Sequence, residues 1–165
     1  MPSTDAAARL RAAVAAAVPR LLALPESDAG RRPAPGKWSP KEVIGHLVDS
    51  ASNNHQRFVR ARFQDDLVFP GYAQDDWVRA QRYADAPWRD LVELWRAFNL
   101  HLARVIESTP RDAAERPRAR HNLDKIAFRT VPANEPATLG DFMNDYVLHL
   151  EHHLRQIFPL DPHAT

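Results

Sequence analysis

Four long stretches of this chain repeat apolar residues at helical spacing, separated by proline-rich breaks, and almost nothing in it alternates as a strand does. Such helices must bury their apolar stripes against one another, which narrows the fold to a helical bundle. From Thr4 to Leu24 the stripe is Leu10, Val14, Ala17, Leu21 and Leu24, in an alanine-rich context that favours helix, with Pro19 expected to kink it. The segment Pro25 to Lys37 holds three prolines and two glycines and reads as a turn-rich linker. Ser39-Pro40-Lys41-Glu42 then opens the second helix: Ser39 as N-cap, Pro40 at the first helical position, Glu42 closing a capping box. That helix is expected to run to about Gln64. Asp65 to Ala73, with Pro70-Gly71, reads as loop, and Gln74 to Tyr83 as a short helix carrying Trp77 and Val78.

Pro87 starts a third long helix to about Thr109, with Trp88, Leu91, Leu94, Trp95, Phe98, Leu102 and Val105 on its core side, and Pro110 stops it. Residues 110 to 137 lack sustained periodicity, although Ile126 to Val131 reads as a short extended piece. A connection this long is often a lid or binding loop. Thr138-Leu139-Gly140-Asp141 begins the last helix with a second capping signature, and Pro159 and Pro162 mark its end. The expected fold is all-α: one four-helix bundle domain over residues 1–165, with a short extra helix and a long loop before the last helix. Sites in such bundles are built from side chains that face one another in the interior.

Composition removes several kinds of chemistry. With no cysteine there is no disulfide framework, thiolate metal site or cysteine nucleophile. A net charge of +1, with arginines and carboxylates interspersed, gives no basic field for a nucleic-acid partner. No apolar leader and no long apolar run is present, which predicts a soluble cytoplasmic protein without a membrane partner.

The run His149-Leu-Glu-His-His153 places His149 and His153 one helical turn apart on one face. Both rings can reach one ion if they are neutral, but two imidazoles leave a divalent ion mostly hydrated. A third ligand has to come from elsewhere, and His46 on the second helix is the candidate. His46, Asp49, Ser50, Asn53 and Arg57 share a narrow sector beside the apolar seam of Val43, Leu47, Ala51 and Phe58. Gly45 in the helix interior costs about 1 kcal/mol relative to alanine, which points to close approach of another group. On the last helix Phe142, Tyr146, His149, His153 and Gln156 share a face, with Asp145 and His152 at its edges and His152 directed outward. His55, His101, His121 and His163 have no partner at helical spacing and are read as non-ligands. The spacing alone leaves open whether these imidazoles bind a metal or lie on a solvated face.

Two blocks carry a family resemblance: Gly36-Lys-Trp-Ser-Pro-Lys-Glu-Val-Ile-Gly-His-Leu-Val-Asp49, followed by Asn53, Asn54, Gln56 and Arg57, and Tyr146-Val-Leu-His-Leu-Glu-His-His-Leu-Arg-Gln-Ile157. Occurring together and in this order, they resemble the DinB-like (DinB/YfiT) superfamily across nearly the whole chain. The resemblance implies a bundle of up-down-down-up topology that holds one divalent ion, zinc or nickel, on three histidines. Here these match His46, His149 and His153. It further implies thiol-dependent S-transferases, a mycothiol-dependent maleylpyruvate isomerase and many proteins of unknown activity as relatives, and homodimers as a common state.

Three neutral imidazoles would leave an ion its full charge and an open position, as in catalytic zinc sites. The expected function is therefore a metal-dependent transferase or hydrolase acting on a small molecule, with a low-molecular-weight thiol as cosubstrate in the transferase case. Arg57 is the residue expected to read an anionic group, Asn53 and Tyr146 to orient substrate, and Asp49 or, less well placed, Glu151 to orient a ligand imidazole. The alternative is a non-enzymatic, metal-stabilised binding or stress-response accessory protein, in which a fourth protein ligand, His121 or an acidic loop residue, closes the site.

Overall fold

The computed structural model describes residues 3–159, so Pro162 and His163 lie outside the described residues. Within this range eight helices follow one another: α1 (Ser3–Ala23), α2 (Glu26–Ala29), α3 (Pro40–Arg60), α4 (Gln74–Ala80), α5 (Trp88–Glu107), α6 (Arg111–Glu115), α7 (Leu123–Ile126) and α8 (Leu139–Ile157). A 3₁₀ turn, Tyr83–Asp85, precedes α5. No strand forms among the described residues; there are two isolated bridges, Leu67 with His121 and Arg118 with Ala137.

Capping sets where the long helices begin. Ser39 Oγ accepts from the Glu42 N–H, and the Glu42 carboxylate accepts from the Ser39 N–H at 2.8 Å, so both halves of the expected box are present. Thr138 Oγ1 accepts from the Asp141 N–H at 3.0 Å and starts α8. Helix α1 is continuous across Pro19.

Side-chain contacts fix the direction of each long helix. Arg9 meets Glu151 and Arg20 stacks on Phe158, so α1 and α8 run parallel. Trp88 Nε1 donates to the Leu21 carbonyl while Arg11 pairs with Glu107, so α1 and α5 are antiparallel. Tyr83 lies against Gly45 and His101 against His55, so α3 and α5 are parallel. Phe58 packs on Phe142, and His46 meets His149, which makes α3 and α8 antiparallel. This is the up-down-down-up arrangement. Parallel neighbours cannot be joined by a tight turn, which explains why residues 61–87 must climb the length of the bundle before α5 can start. Leu10, Leu21, Leu47, Phe58, Trp95, Leu102 and Met143 are fully buried between the four helices.

Several expectations need correction. Helix α3 ends at Arg60, four residues short of Gln64, because the chain turns tightly there: the Arg62 and Phe63 N–H groups donate to the Val59 and Arg60 carbonyls. The short helix from Gln74 ends at Ala80, broken by the left-handed Arg82 at φ 51°. Leu94, placed on the core side of α5, is 51% exposed, and the core side also takes Val92, Asn99, Ala103 and Ile106. Ile126 closes α7 and residues 127–131 pair with no strand. The bridge between Arg118 and Ala137 pinches the base of the long excursion, and its outer part reaches α8 at His149 and His152 through Phe128.

Candidate metal centre

His46 sits in the second turn of α3, and the antiparallel α8 brings His149 and His153 alongside it. One ring nitrogen from each of the three lies within 4.8 Å of the others. The Nε2 atoms of His46 and His149 are 3.1 Å apart, closer than twice a zinc–nitrogen bond of about 2.0–2.1 Å, so one ion can reach both. Burial, with His153 beside it, pushes His46 down to about 3. Burial and the neighbouring imidazoles push His149 down to about 2, and burial lowers His153 as well. All three rings are therefore neutral at pH 7, with lone pairs available. His153 Nδ1 lies 2.9 Å from the Gln156 amide oxygen, an acceptor, which puts the proton on Nδ1 and leaves Nε2 free. His149 Nδ1 faces Ser50 Oγ at 3.4 Å, and His46 Nδ1 is buried without a partner. A compact set of neutral nitrogen donors, His46 buried and His149 and His153 half-buried, fits a divalent cation.

A cavity of about 370 Å³ opens beside His149, lined by Ser50, Asn54, Arg57, Tyr72 and Tyr146 and covered on one side by Phe128. Arg57 is 5% exposed. Its guanidinium donates to the Pro70 carbonyl at 2.8 Å and to Asn54 Oδ1 at 3.5 Å. No carboxylate among the described residues pairs with it. Burial pulls its pKa down, and the nearby Tyr72 works the other way. Tyr72 itself is pushed up to about 12 by burial and stays a neutral hydroxyl.

Other expected site residues are placed differently. Asn53 turns away: its amide donates to the Asp49 carbonyl at 2.9 Å, and it lines a separate cavity with Gln56 and Phe69. Its neighbour Asn54 takes the position beside the histidines. The Tyr146 hydroxyl donates to Asn99 Oδ1 at 2.5 Å, so only its ring faces the cavity. Asp49 accepts from Tyr83 and from Gln81, each at 2.7 Å, and Glu151 pairs with Arg9; neither carboxylate bonds to an imidazole. Ser50 and Gln156 take the places assigned to them. The close approach signalled by Gly45 is that of Tyr83, whose ring lies where a Cβ would go. His152, expected outward, is half-buried against Phe128 and lines the cavity. His55 and His101, on different helices, pack with ring centroids 5.1 Å apart.

Asp145 was read only as an edge position, yet it organises the cover. Its carboxylate accepts from the backbone N–H groups of Phe128 and Arg129 at 2.7 and 2.9 Å, pinning the loop over the cavity. The available signal was its position on the histidine helix, one turn before His149.

Fold and site together define a four-helix bundle with a three-histidine cluster between two of its helices. The chain matches the DinB superfamily over residues 9–157 and belongs to that superfamily. Among solved structures it is similar to one described as "YfiT from Bacillus subtilis is a probable metal-dependent hydrolase with an unusual four-helix bundle topology", with a TM-score of 0.65 and 18% sequence identity, covering 94% of this chain and 79% of that one. At that identity the likeness establishes the fold. No curated protein matches the chain.

Proposed function

We propose that this protein is a metal-dependent enzyme acting on a small anionic molecule, with His46, His149 and His153 holding one divalent ion, zinc or nickel. The observation that carries this reading is the convergence of three neutral imidazoles, one buried and two half-buried, beside a cavity lined by an arginine with no carboxylate partner among the described residues. The similar solved structure, described as a probable metal-dependent hydrolase, supports the same class. Such an ion supplies Lewis acidity, which lowers the pKa of a water towards ~7 and removes the proton of a thiol outright. Arg57 holds an anionic group of the substrate, and Asn54 and the Ser50 hydroxyl orient its polar atoms. Phe128 and Tyr146 exclude water from one side, with Asp145 keeping Phe128 in place. Because the chain has no cysteine, a transferase reaction would take its thiolate from a low-molecular-weight cosubstrate, whereas hydrolysis needs only water.

A closed, structural metal site requires a fourth protein ligand. The loop candidate His121 is otherwise engaged: Nε2 lies 2.8 Å from the Glu135 carbonyl, and Nδ1 accepts from the Leu123 N–H. This favours an open site. The test is metal content of untagged protein, native against His46→Ala and His153→Ala. One equivalent of zinc or nickel in the native chain, lost in either variant, is the expected result; a metal-free chain that cannot be loaded near neutral pH rejects the proposal.

A further inference from the structure

A second cavity, of about 570 Å³, approaches the histidine cluster from the side of the 25–39 linker, and no role has yet been given to it. His153 lines both cavities, so its ring stands between them. The two differ in chemistry. The first has Ser50, Asn54, Arg57 and Tyr72 on its lining beside the apolar Phe128 and Phe142. The second is walled by Pro33, Trp38, Pro40, Val43 and Ile157, with Arg31, Lys37 and Asp75 also on its lining. Trp38 places its indole 5.0 Å from the His46 ring and 6.3 Å from that of His153, offering an apolar face directly beside the cluster.

We infer that the linker-side cavity is a binding subsite for the apolar, aromatic part of the substrate, so that the site takes amphipathic molecules: an anionic group on Arg57 and an aryl group against Trp38 and Ile157, with the histidines between. This rests on the functional reading above for the anionic end and adds the other end. Burial of apolar surface supplies affinity in proportion to area, roughly 25 cal/mol per Å², whereas the Arg57 end supplies orientation. A molecule carrying only one of the two groups occupies only one cavity.

The experiment is calorimetric titration with acetate, benzoate and a series of ω-phenylalkanoates of increasing chain length, on the protein as purified. In parallel, ¹⁹F spectra of 5-fluorotryptophan-labelled protein are recorded, with the Trp38 signal assigned from Trp38→Phe. Affinity should rise by about tenfold or more once the chain is long enough to carry the phenyl ring past His153, and only those acids should shift the Trp38 resonance. Ile157→Trp, at a half-buried position, and Pro33→Trp, at an exposed one, fill the linker-side cavity; each should cancel that rise while leaving acetate binding unchanged. Arg57→Gln should weaken every acid. If short acids bind through Arg57 but lengthening gains nothing, or the gain survives both tryptophan variants, the inference fails and the functional reading stands. If long acids move Trp38 but Arg57→Gln has no effect, the anion reading fails and the subsite stands. If no acid binds, both fail.

Discussion

At Gly45 an added Cβ would lie 2.2 Å from the Tyr83 ring, at the inner end of the side chain where it cannot swing aside without losing the bond from Tyr83 to Asp49. Alanine gains about 1 kcal/mol of helix propensity, but overpacking of this kind costs about 1–3 kcal/mol, and Asp49 would lose a partner inside the protein. Gly45→Ala should therefore lower the urea midpoint; an increase would mean that Tyr83 moves freely. Arg57 makes the opposite case. A buried guanidinium with only a carbonyl and an amide as partners is poorly compensated, so Arg57→Met should leave the melting temperature unchanged or raise it while weakening anion binding. A fall of several degrees would show that its bond to Pro70 matters more than its desolvation. The histidines were legible because helical spacing and the family blocks both point to them. Asn53 and Asn54 point about 100° apart as adjacent helical positions, so the docked rotation of α3 decides which of them lines the histidine cavity, and Asn54 does.

Helix α3 was readable at its start and unreadable at its end, for one physical reason: caps are local, whereas termination here depends on what the chain meets next. Ser39 and Glu42 satisfy each other within four residues, and Ser39 is 1% exposed. Ser39→Ala should cost about 0.5–2 kcal/mol of stability, measured by chemical denaturation, with Ser39→Asp recovering most of it; no loss would mean that Pro40 alone sets the helix start. The cover over the cavity was equally hidden, since Phe128 and Arg129 carry no periodic signal and depend on a carboxylate from α8. Among the described residues, no helix is long and apolar enough to cross a membrane, in keeping with the apolar stripes being spent on the bundle.

For the whole molecule, keeping the cluster neutral ties stability to pH. His46 titrates near 3 when folded and near its ordinary value of about 6.5 when unfolded, so between those values the unfolded chain binds more protons. The metal-free protein should hold its full stability above about pH 6.5 and lose it progressively as the pH falls towards 3. Denaturation midpoints across that window check this, and His46→Gln should flatten the dependence; an unchanged slope would mean that other groups carry it. The four-helix architecture was legible from the apolar stripes, whereas the direction of each helix came only from the family resemblance, because up-down-down-up differs from a simple meander only in long connections that carry little pattern of their own.

The contact between His46 and His149 closes 103 residues of chain, and a link of that span is among the last that a folding polypeptide completes. A chain whose Leu139–Ile157 helix has not yet docked offers only the His149–His153 pair, without the third imidazole from α3. Under the proposed function, metal acquisition would report that assembly is finished, and selection among the metals on offer would fall to the completed architecture rather than to the nascent chain.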